Sequence, residues 1–250
     1  MTVTERLFQV VEREEHAVLF TVIEGEPLGA HVLVLGSGER VGGGVPEELV
    51  DQARRLIREH RNRILQTGEL RVFVEVYGPP PRLLVYGAVD TAEAVCAAAR
   101  LLGWYSIVAD ARGKFATRER IPSADELIVA WPEEAIAQVA PDHATAVVVL
   151  THDDKFDVPA LQAALATEAF YVGALGARRN QERRRERLLE AGVEEEAIER
   201  IHGPCGLDVG AESQPETALS ILAEIVAVRA GREGGPLKTA RHRIHAEAAD

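Results

Sequence analysis

From residue 82 onward, short apolar runs alternate with longer stretches in which apolar residues recur at helical spacing. The apolar runs predict five strands, at residues 83–86, 107–110, 127–130, 146–150 and 170–174. Helices are predicted to begin near Thr91, Pro132, Val158 and Arg178, and a last helix at residues 215–228 carries Ser213 and Glu216 as a capping box at its start. Strands that alternate with helices in this way are typical of a parallel sheet covered on both faces.

The residues before this region follow a different pattern. Runs 16–23 and 30–35 are rich in β-forming residues, run 69–77 alternates apolar and polar positions, and a helix is predicted from Val45 and Pro46. The apolar stripe of that helix comprises Leu49, Ala53, Leu56 and Ile57. We therefore predict an α/β protein in which a Rossmann-like parallel-sheet domain follows a smaller α+β N-terminal domain. The predicted boundaries are 1–78 for the N-terminal domain, 79–81 for a proline hinge, 82–231 for the Rossmann-like domain and 232–250 for a flexible tail.

The charge of the chain argues against two classes of binding partner, nucleic acids and membranes. The 28 basic and 40 acidic side chains give a formal net charge of −12, so the average surface repels nucleic acids and anionic membranes. We find no N-terminal signal sequence, and no apolar run approaches the ~18 residues that a membrane span needs. We therefore expect a cytoplasmic protein that binds neither nucleic acid nor membrane. Cys96 and Cys205 lie far apart and show no spacing typical of a zinc site or a disulfide framework.

The loop after the first strand of the parallel sheet is where a dinucleotide-binding fingerprint would lie. Gly87 supplies the first glycine of that fingerprint, but Val89 stands at the second and Asp90 brings a carboxylate to the place of the phosphates. Asp90 and Glu93 can instead cap the following helix. Asp110, at the end of the second strand, is either a ribose-binding acid or a turn residue, and both interpretations stay open.

Three later segments carry unusual polar residues at predicted strand ends, where ligands bind in doubly wound sheets. The first follows the apolar strand 146–150 and contains His152, Asp153, Lys155 and Asp157. These side chains can converge on a ligand. The alternative is a turn followed by an N-cap for the next helix, although His152 has no capping role.

The second segment contains Gly173, Gly176, Arg178 and Arg179 between a strand and a helix. Backbone N–H groups, the helix dipole and two guanidinium groups together favour a phosphate or oxoanion. Basic residues are poorly placed at a helix start unless an anion lies opposite them. The alternative is pairing with glutamates farther along the same helix.

The third segment holds His202, Cys205 and Asp208 in an irregular stretch rich in glycine and proline. Ordering such a loop is costly unless its side chains have a role. Cys205 is either an activated thiolate or a buried structural cysteine, and the sequence leaves both open. Cys96, inside an alanine-rich helix, is predicted to fill the core.

In this order, behind a glycine-rich N-terminal domain, the three segments resemble the XdhC/CoxI family of maturation proteins for molybdenum enzymes. The resemblance extends from about Arg6 to Gly231 and is most specific at residues 151–157, 173–179 and 202–210. It implies a cytoplasmic, homodimeric accessory protein that holds the molybdenum cofactor, a molybdopterin with or without an attached nucleotide. It further implies sulfuration by a partner cysteine desulfurase or sulfurtransferase, and delivery to the apo-subunit of a hydroxylase such as xanthine dehydrogenase or carbon monoxide dehydrogenase.

Two departures from the family pattern affect this interpretation. Family members commonly carry a cysteine after the glycine-rich turn of the small domain, where this chain has Gly44, Val45 and Pro46. Cys205 is our candidate substitute, as a metal ligand. Many relatives also carry Gly-Ala-Gly-His in the first Rossmann loop, and its absence here argues against NAD(P). The predicted cofactor-binding residues are Asp110, His152, Asp153, Lys155, Asp157, Gly173, Gly176, Arg178, Arg179, His202, Cys205 and Asp208.

Three functions of different classes therefore stand side by side. The leading hypothesis is a carrier and chaperone with the cofactor in a cleft between the two domains. The second is an NAD(P)-dependent oxidoreductase with Asp110 on the ribose and His152 as acid and base. The third is a scaffold that joins sulfurtransferase and hydroxylase without holding the cofactor, and such a scaffold needs no anion site at Arg178 and Arg179.

Overall fold

The computed structural model describes residues 1–59, 61–151 and 153–240. The chain folds into two compact units, one built on residues 1–79 with the described residues from 235 onward, and one on residues 80–234. The predicted tail is described only as far as residue 240 and includes a short 3-10 turn at Leu237–Thr239. Its remaining residues and His152 lie outside the described part. No described helix combines the length and the apolar character that crossing a membrane requires.

The smaller unit is a five-stranded antiparallel sheet with helices packed against it. In chain order its elements are α1 (Val3–Glu12), β1 (Ala17–Glu24), β2 (His31–Leu35), β3 (Arg40–Gly43), α2 (Glu47–Val50), α3 (Ala53–Glu59), β4 (Arg63–Thr67) and β5 (Leu70–Tyr77). The strand order is β3-β2-β1-β5-β4, so the apolar strand β1 lies in the centre. The helix predicted from Pro46 is divided into α2 and α3, and its stripe from Leu49 to Ile57 is buried as predicted.

The larger unit is a six-stranded parallel sheet, which confirms the predicted α/β class. Its elements are β6 (Arg82–Tyr86), α4 (Asp90–Leu101), β7 (Tyr105–Ala109), β8 (Glu126–Ile128), α5 (Pro132–Val139), β9 (Thr145–Val149), α6 (Asp154–Leu165), β10 (Tyr171–Ala174), α7 (Gln181–Glu190), α8 (Glu195–Ile198), β11 (Ile201–His202) and α9 (Gln214–Arg229). The strand order β11-β10-β9-β6-β7-β8 is that of a doubly wound sheet. The order reverses its direction between β6 and β9, and ligands bind at such a switch point.

Alternating side chains of the strands feed two hydrophobic cores, one on each face of the sheet. Leu83 and Val85 pack with residues of α4 and α9, whereas Leu84 and Tyr86 pack with residues of α5 and α6. Cys96 belongs to the first core and is fully buried, and burial raises the pKa of its thiol to about 12. Cys96 therefore fills the core, as predicted.

Several boundaries differ from the prediction for local reasons. α6 begins at Asp154 rather than near Val158, because Asp153 accepts a hydrogen bond from the Lys155 N–H and caps the helix. A 3-10 turn at Arg178–Asn180 precedes α7. Three strands, β3, β4 and β11, and two helices, α1 and α8, were not predicted. The capping box of Ser213 and Glu216 at the start of α9 is present as predicted.

Candidate functional site

The candidate site lies at the carboxyl edge of the parallel sheet, where the loops after β6, β9 and β10 emerge. At the switch point the loop after β6 runs against the loop after β9. A Cβ atom on Gly87, whose φ is +110°, would lie 2.9 Å from Cγ2 and 3.2 Å from the backbone nitrogen of Thr151. Gly87 is therefore required both for its positive φ and for the close approach of the two loops.

The first loop is organised internally rather than left open for phosphates. The N-cap of α4 is Val89, and no side chain caps this helix. Asp90 instead pairs with Arg120 at 2.9 Å, and Glu93 accepts hydrogen bonds from the backbone and hydroxyl of Ser123 at 3.0 and 2.6 Å. The prediction that Asp90 and Glu93 cap α4 was therefore wrong, because both carboxylates bind partners on the 111–125 loop.

Asp110 has no free acceptor position for a ribose hydroxyl. Its Oδ1 accepts the backbone N–H and the Nε of Arg112, each at 2.9 Å, and its Oδ2 accepts the Ala88 N–H at 2.9 Å and Arg112 Nη2 at 2.8 Å. Burial acts to raise the pKa of Asp110, but these hydrogen bonds outweigh it and hold the pKa below its ordinary value. Asp110 therefore fixes the loop after β6 onto the loop after β7, and the ribose-binding interpretation loses its geometric basis.

Two of the described predicted residues after β9 lie at the surface. Asp153 is exposed and serves as the N-cap of α6, the alternative role that its sequence position allowed. The exposed Lys155 places its Nζ 4.8 Å from the ring centroid of Trp131. Asp157 is different, because it lies on the buried face of α6 and only 5% of its surface is exposed.

Asp157 forms a buried ion pair with Arg184, a residue that was not among the predicted site residues. Arg184 Nε donates to Asp157 Oδ2 at 2.9 Å, and both side chains are 8% exposed. Thr151 donates its hydroxyl to the other carboxylate oxygen at 3.0 Å. The remaining guanidinium nitrogens donate to Gln181 Oε1 at 2.8 Å and to the Leu175 carbonyl at 2.7 Å. One arginine therefore ties together the loops after β9 and β10.

The pattern of α7 could have revealed this arginine. Arg184 and Leu188 are one helical turn apart and are the two residues of α7 that are buried. An arginine that shares the apolar face of a helix requires a buried partner. In the sequence, however, Arg184 stands within a run of charged residues, where it is less conspicuous than Arg178 and Arg179 beside their glycines.

Arg178 and Arg179 lie on the 3-10 turn that leads into α7, and both are exposed. Within the described part of the chain neither forms an ion pair, so the alternative of pairing with glutamates farther along α7 is not realised. Gly176, two residues earlier, has a φ of +139°, and a Cβ there would lie 3.4 Å from Arg184 Nη2. The two guanidinium groups therefore project from a turn that Arg184 holds in place.

His202 lies on β11 and belongs to a small polar cluster with two further residues, Tyr171 and Glu224, that were not predicted. Its ring stacks on Tyr171 with centroids 4.5 Å apart, and its Nδ1 lies 3.4 Å from Glu224 Oε1. Glu224 Oε2 also accepts the Tyr171 hydroxyl and the Gly206 N–H, the latter at 2.7 Å. Burial raises the pKa of Tyr171, whereas hydrogen bonds outweigh the burial of Glu224 and lower its pKa. This cluster fastens the third segment to α9.

Cys205 is a buried thiol rather than an activated thiolate. Only 8% of its surface is exposed, and burial raises the pKa of its thiol to about 12. A Cβ on Gly173 would lie 3.0 Å from the Cβ of Cys205, so the two residues pack against each other. Among the described residues no group of three or more His, Cys, Asp or Glu side chains is arranged to hold a metal ion. The structure therefore gives no support to Cys205 as a metal ligand.

The three segments meet at the end of β10. The Cys205 N–H donates to the Ala174 carbonyl at 3.0 Å. A Cβ on Gly203 would lie 2.4 Å from Oε1 of Gln181, so Gly203 packs closely against this side chain. The same Oε1 accepts a hydrogen bond from Arg184. A pocket of about 190 Å³ lies between α7, α8 and the start of the third segment, and Arg184 and Gly203 are among the residues that line it. Asp208, the last predicted residue, is exposed and forms no ion pair with another described residue. The structure thus brings the motifs together, while it divides their side chains into buried supports and exposed charges.

Comparisons with known proteins agree with this fold. A family model described as "XdhC Rossmann domain" matches residues 83–225. The chain is 30% identical over 200 residues to a protein of Bacillus subtilis (strain 168) named as a probable xanthine dehydrogenase subunit, covering 80% of this chain and 58% of that protein. It is 33% identical over 157 residues to the molybdenum cofactor insertion chaperone PaoD of Escherichia coli (strain K12), covering 63% and 43%.

A solved structure described as a xanthine dehydrogenase from Bacillus halodurans has a TM-score of 0.55 with 18% identity, and the match covers 96% of this chain and 98% of that one. This likeness concerns the fold alone. The chain spans about half the length of the curated relatives that it matches.

Proposed function

The chain belongs to the XdhC family, and on that premise we propose that it holds the molybdenum cofactor and assists its insertion into a molybdenum hydroxylase. The name of PaoD, a molybdenum cofactor insertion chaperone, points in the same direction. The resemblance of residues 151–157, 173–179 and 202–210 to the family motifs supports the same role.

The exposed arginine pair carries this proposal. Arg178 and Arg179 are exposed on the turn that follows β10, the strand next to β9 at the switch point, and no described carboxylate forms an ion pair with them. Two adjacent unpaired guanidinium groups are unusual in a chain with a formal net charge of −12, where carboxylates are abundant. Guanidinium groups bind phosphate and oxoanions through paired hydrogen bonds, so an anionic ligand is their natural partner.

The donor set of this edge suits the chemistry of the cofactor. A molybdopterin presents a phosphate and an oxo-molybdenum centre, both of which attract fixed hydrogen-bond donors and positive charge. Arg178 and Arg179 would hold the anionic end of the cofactor, whose bound metal supplies the redox chemistry of the client enzyme. The cofactor requires no protein thiolate in this arrangement, in keeping with the raised pKa of Cys205.

The buried residues of the motifs act as supports for this anion site. Arg184 fixes the loop after β10 through the Leu175 carbonyl, and Asp157 neutralises its charge. Glu224 fixes the third segment through the Gly206 N–H. We infer that these contacts keep the two exposed arginines oriented before the cofactor arrives, which lowers the entropic cost of binding it.

We further propose that the chain presents the held cofactor to a sulfurtransferase or cysteine desulfurase and then to the apo-hydroxylase, and that it acts as a homodimer in the cytoplasm. These partners follow from the family role. In this scheme the buried Cys205 does not carry the sulfur, because a thiol with a pKa of about 12 is protonated at neutral pH.

The Rossmann-like fold also allows an NAD(P)-dependent oxidoreductase, but the loop after β6 argues against this alternative. Asp110 has all four acceptor positions filled, and Asp90 lies in the first turn of α4, where the pyrophosphate would bind. A scaffold that holds no cofactor is argued against by the unpaired arginine pair. Both alternatives are tested together with the leading one.

The experiment incubates the purified full chain with molybdenum cofactor and, separately, with NADPH, and measures what remains bound after gel filtration. Molybdenum analysis and pterin fluorescence report the cofactor, and absorbance reports NADPH. The test variant is Arg178→Ala/Arg179→Ala. The matched control is Arg54→Ala/Arg55→Ala, which removes two adjacent exposed arginines from α3 in the smaller unit.

We expect the wild type and the control to retain the cofactor, the test variant to lose it, and no protein to retain NADPH. Cofactor-loaded wild type should then activate an apo-hydroxylase more than free cofactor does. Retention that is undiminished in the test variant would remove the assigned anion site, and retention of NADPH alone would favour the oxidoreductase.

A further inference from the structure

A second group of cations and aromatic rings lies at the same edge of the sheet, on the loops after β7 and β8 and on the first turn of α6. Three aromatic rings, Phe115, Trp131 and Phe156, alternate there with four cations, Arg112, Lys114, Arg120 and Lys155. We call these seven residues the ring–cation cluster. They come from the loop after β7, the loop after β8 and the first turn of α6, and contacts between cations and rings join them.

Direct contacts join the members of the ring–cation cluster. The guanidinium carbon of Arg112 lies 4.4 Å from the ring centroid of Phe115 and 5.3 Å from that of Phe156. The rings of Phe156 and Trp131 are 5.5 Å apart with an interplanar angle of 41°. Lys155 Nζ lies 4.8 Å from the Trp131 centroid, and Lys114 Nζ lies 5.0 Å from the Phe115 centroid. The group is therefore a packed array rather than a set of scattered side chains.

The four cations differ in whether a carboxylate forms an ion pair with them. Arg112 is paired with Asp110, and Arg120 with Asp90. Lys114 and Lys155 form no ion pair within the described ranges, and they are two of the three lysines in the sequence. Two ammonium groups therefore lie over aromatic rings without a carboxylate partner among the described residues, in a chain that is acidic as a whole.

Trp131 presents a planar surface to solvent at this place. It is 45% exposed, and Val129, two residues earlier, is 59% exposed, whereas the chain's other tryptophan, Trp104, is 5% exposed. Phe156 is buried beneath the cluster and holds the indole in position. An exposed indole that is fixed in place loses little entropy when a flat ring stacks on it.

We propose that the ring–cation cluster binds a nucleoside monophosphate group, with its base stacked on Trp131 and its phosphate held by Lys114 and Lys155. Aromatic side chains and arginine planes stack bases of any kind, and ammonium groups bind phosphate. A single nucleotide fits better than a polynucleotide, because the formal net charge of −12 repels an extended phosphate backbone. The site also needs neither the phosphate-binding glycines nor a ribose-binding acid, both of which the first loop lacks.

This inference does not depend on the proposed function. The ring–cation cluster lies on the loops after β7 and β8 and on the first turn of α6, whereas the arginine pair lies on the turn after β10, so the two groups share no residue. Loss of nucleotide binding and loss of molybdenum cofactor retention can therefore be measured as separate effects of separate substitutions.

The experiment titrates the full chain with CMP, GMP and AMP, and with the corresponding nucleosides and inorganic phosphate, by calorimetry and by tryptophan fluorescence. The test variants are Trp131→Leu and Lys114→Gln. The matched controls are Tyr105→Leu, which removes an exposed ring from the amino end of β7, and Lys238→Gln, which removes the third lysine of the sequence.

We expect each monophosphate to bind and to quench tryptophan fluorescence, with Trp131→Leu weakening binding about tenfold and abolishing the quenching. Lys114→Gln should weaken monophosphate binding about threefold without affecting the nucleosides, since only the phosphate contact is lost. The two controls should bind as the wild type does. The inference is overturned if no monophosphate binds at millimolar concentration, or if the controls weaken binding as much as the test variants.

Discussion

The buried pair of Arg184 and Asp157 gives the sharpest prediction about stability. In Arg184→Ala the Asp157 carboxylate stays buried and keeps the Thr151 hydroxyl, but it loses the guanidinium group that neutralises it, and the Leu175 carbonyl loses its donor. Removal of one partner of a buried ion pair costs about 3–5 kcal/mol, because the remaining charge keeps its desolvation cost and loses the attraction of that partner. With a urea m-value of about 2 kcal/mol/M, the unfolding midpoint should fall by about 2 M.

Arg183→Ala is the matched control on the same helix. Arg183 pairs with Asp154, but the two side chains are 65% and 41% exposed, and Arg187 also lies 4.0 Å from that carboxylate. Exposed pairs contribute about 0–1 kcal/mol, so the midpoint should move by less than about 0.5 M. Both tryptophans lie in the larger unit, so their fluorescence in urea reports the unfolding of the unit that contains both pairs.

A third variant separates the loss of charge compensation from the loss of packing. Arg184→Met/Asp157→Leu removes both charges and keeps most of the apolar volume, so it should be clearly more stable than Arg184→Ala. If Arg184→Ala and Arg183→Ala shift the midpoint equally, or if the double variant is less stable than Arg184→Ala, the reasoning from the buried ion pair is refuted.

Other buried contacts give three more predictions. Gly173→Ala should destabilise the protein by about 1–3 kcal/mol in urea unfolding, because its Cβ would lie 2.6 Å from Cε1 of Tyr171; a neutral effect would contradict the packing. The wild type should be more stable than Asp110→Asn, and this difference in stability should be largest above the ordinary aspartate pKa of about 3.9. The difference should shrink as the pH falls through the lowered pKa that Asp110 has in the folded protein. Melting temperatures of the two proteins that change in parallel with pH would contradict this linkage. Thiol labelling at pH 8 should be slow at Cys96 and Cys205 in the native protein and fast in urea, since burial raises both pKa values to about 12. Rapid labelling of Cys205 in the native protein would instead support the interpretation of Cys205 as an activated thiolate.

The fold could be predicted from the sequence wherever one short-range pattern decides the outcome. All five predicted strands of the parallel sheet exist, because a buried parallel strand is a short apolar run, which is easily recognised. β11 was missed because two residues at the edge of a sheet carry no such run. α1 was missed although Thr2 and Glu5 form a capping box, since the exposed Phe8 and Val11 blur its apolar stripe.

The candidate site was harder to predict because a polar side chain at a strand end can either bind a ligand or stabilise the fold, and the sequence alone does not distinguish these two roles. The structure brings the three predicted segments together at the end of β10. Asp157 and Cys205 nevertheless face the core, and the arginine that pairs with Asp157 lies 27 residues away, at a separation that only the folded topology reveals. Asp110 likewise resembles a ribose-binding acid until its bonds to Arg112 and Ala88 are counted.

The central claim is that this chain holds the molybdenum cofactor through Arg178 and Arg179. The most direct test measures the dissociation constant of the cofactor for the full-length wild type, for Arg178→Ala/Arg179→Ala and for Arg54→Ala/Arg55→Ala. We predict that the first double substitution weakens binding by about a hundredfold or more, since each of the two charge-assisted contacts contributes about 1.5–3 kcal/mol, while the second leaves it unchanged. Equal affinity for all three proteins, or equal loss in both variants, would contradict the account.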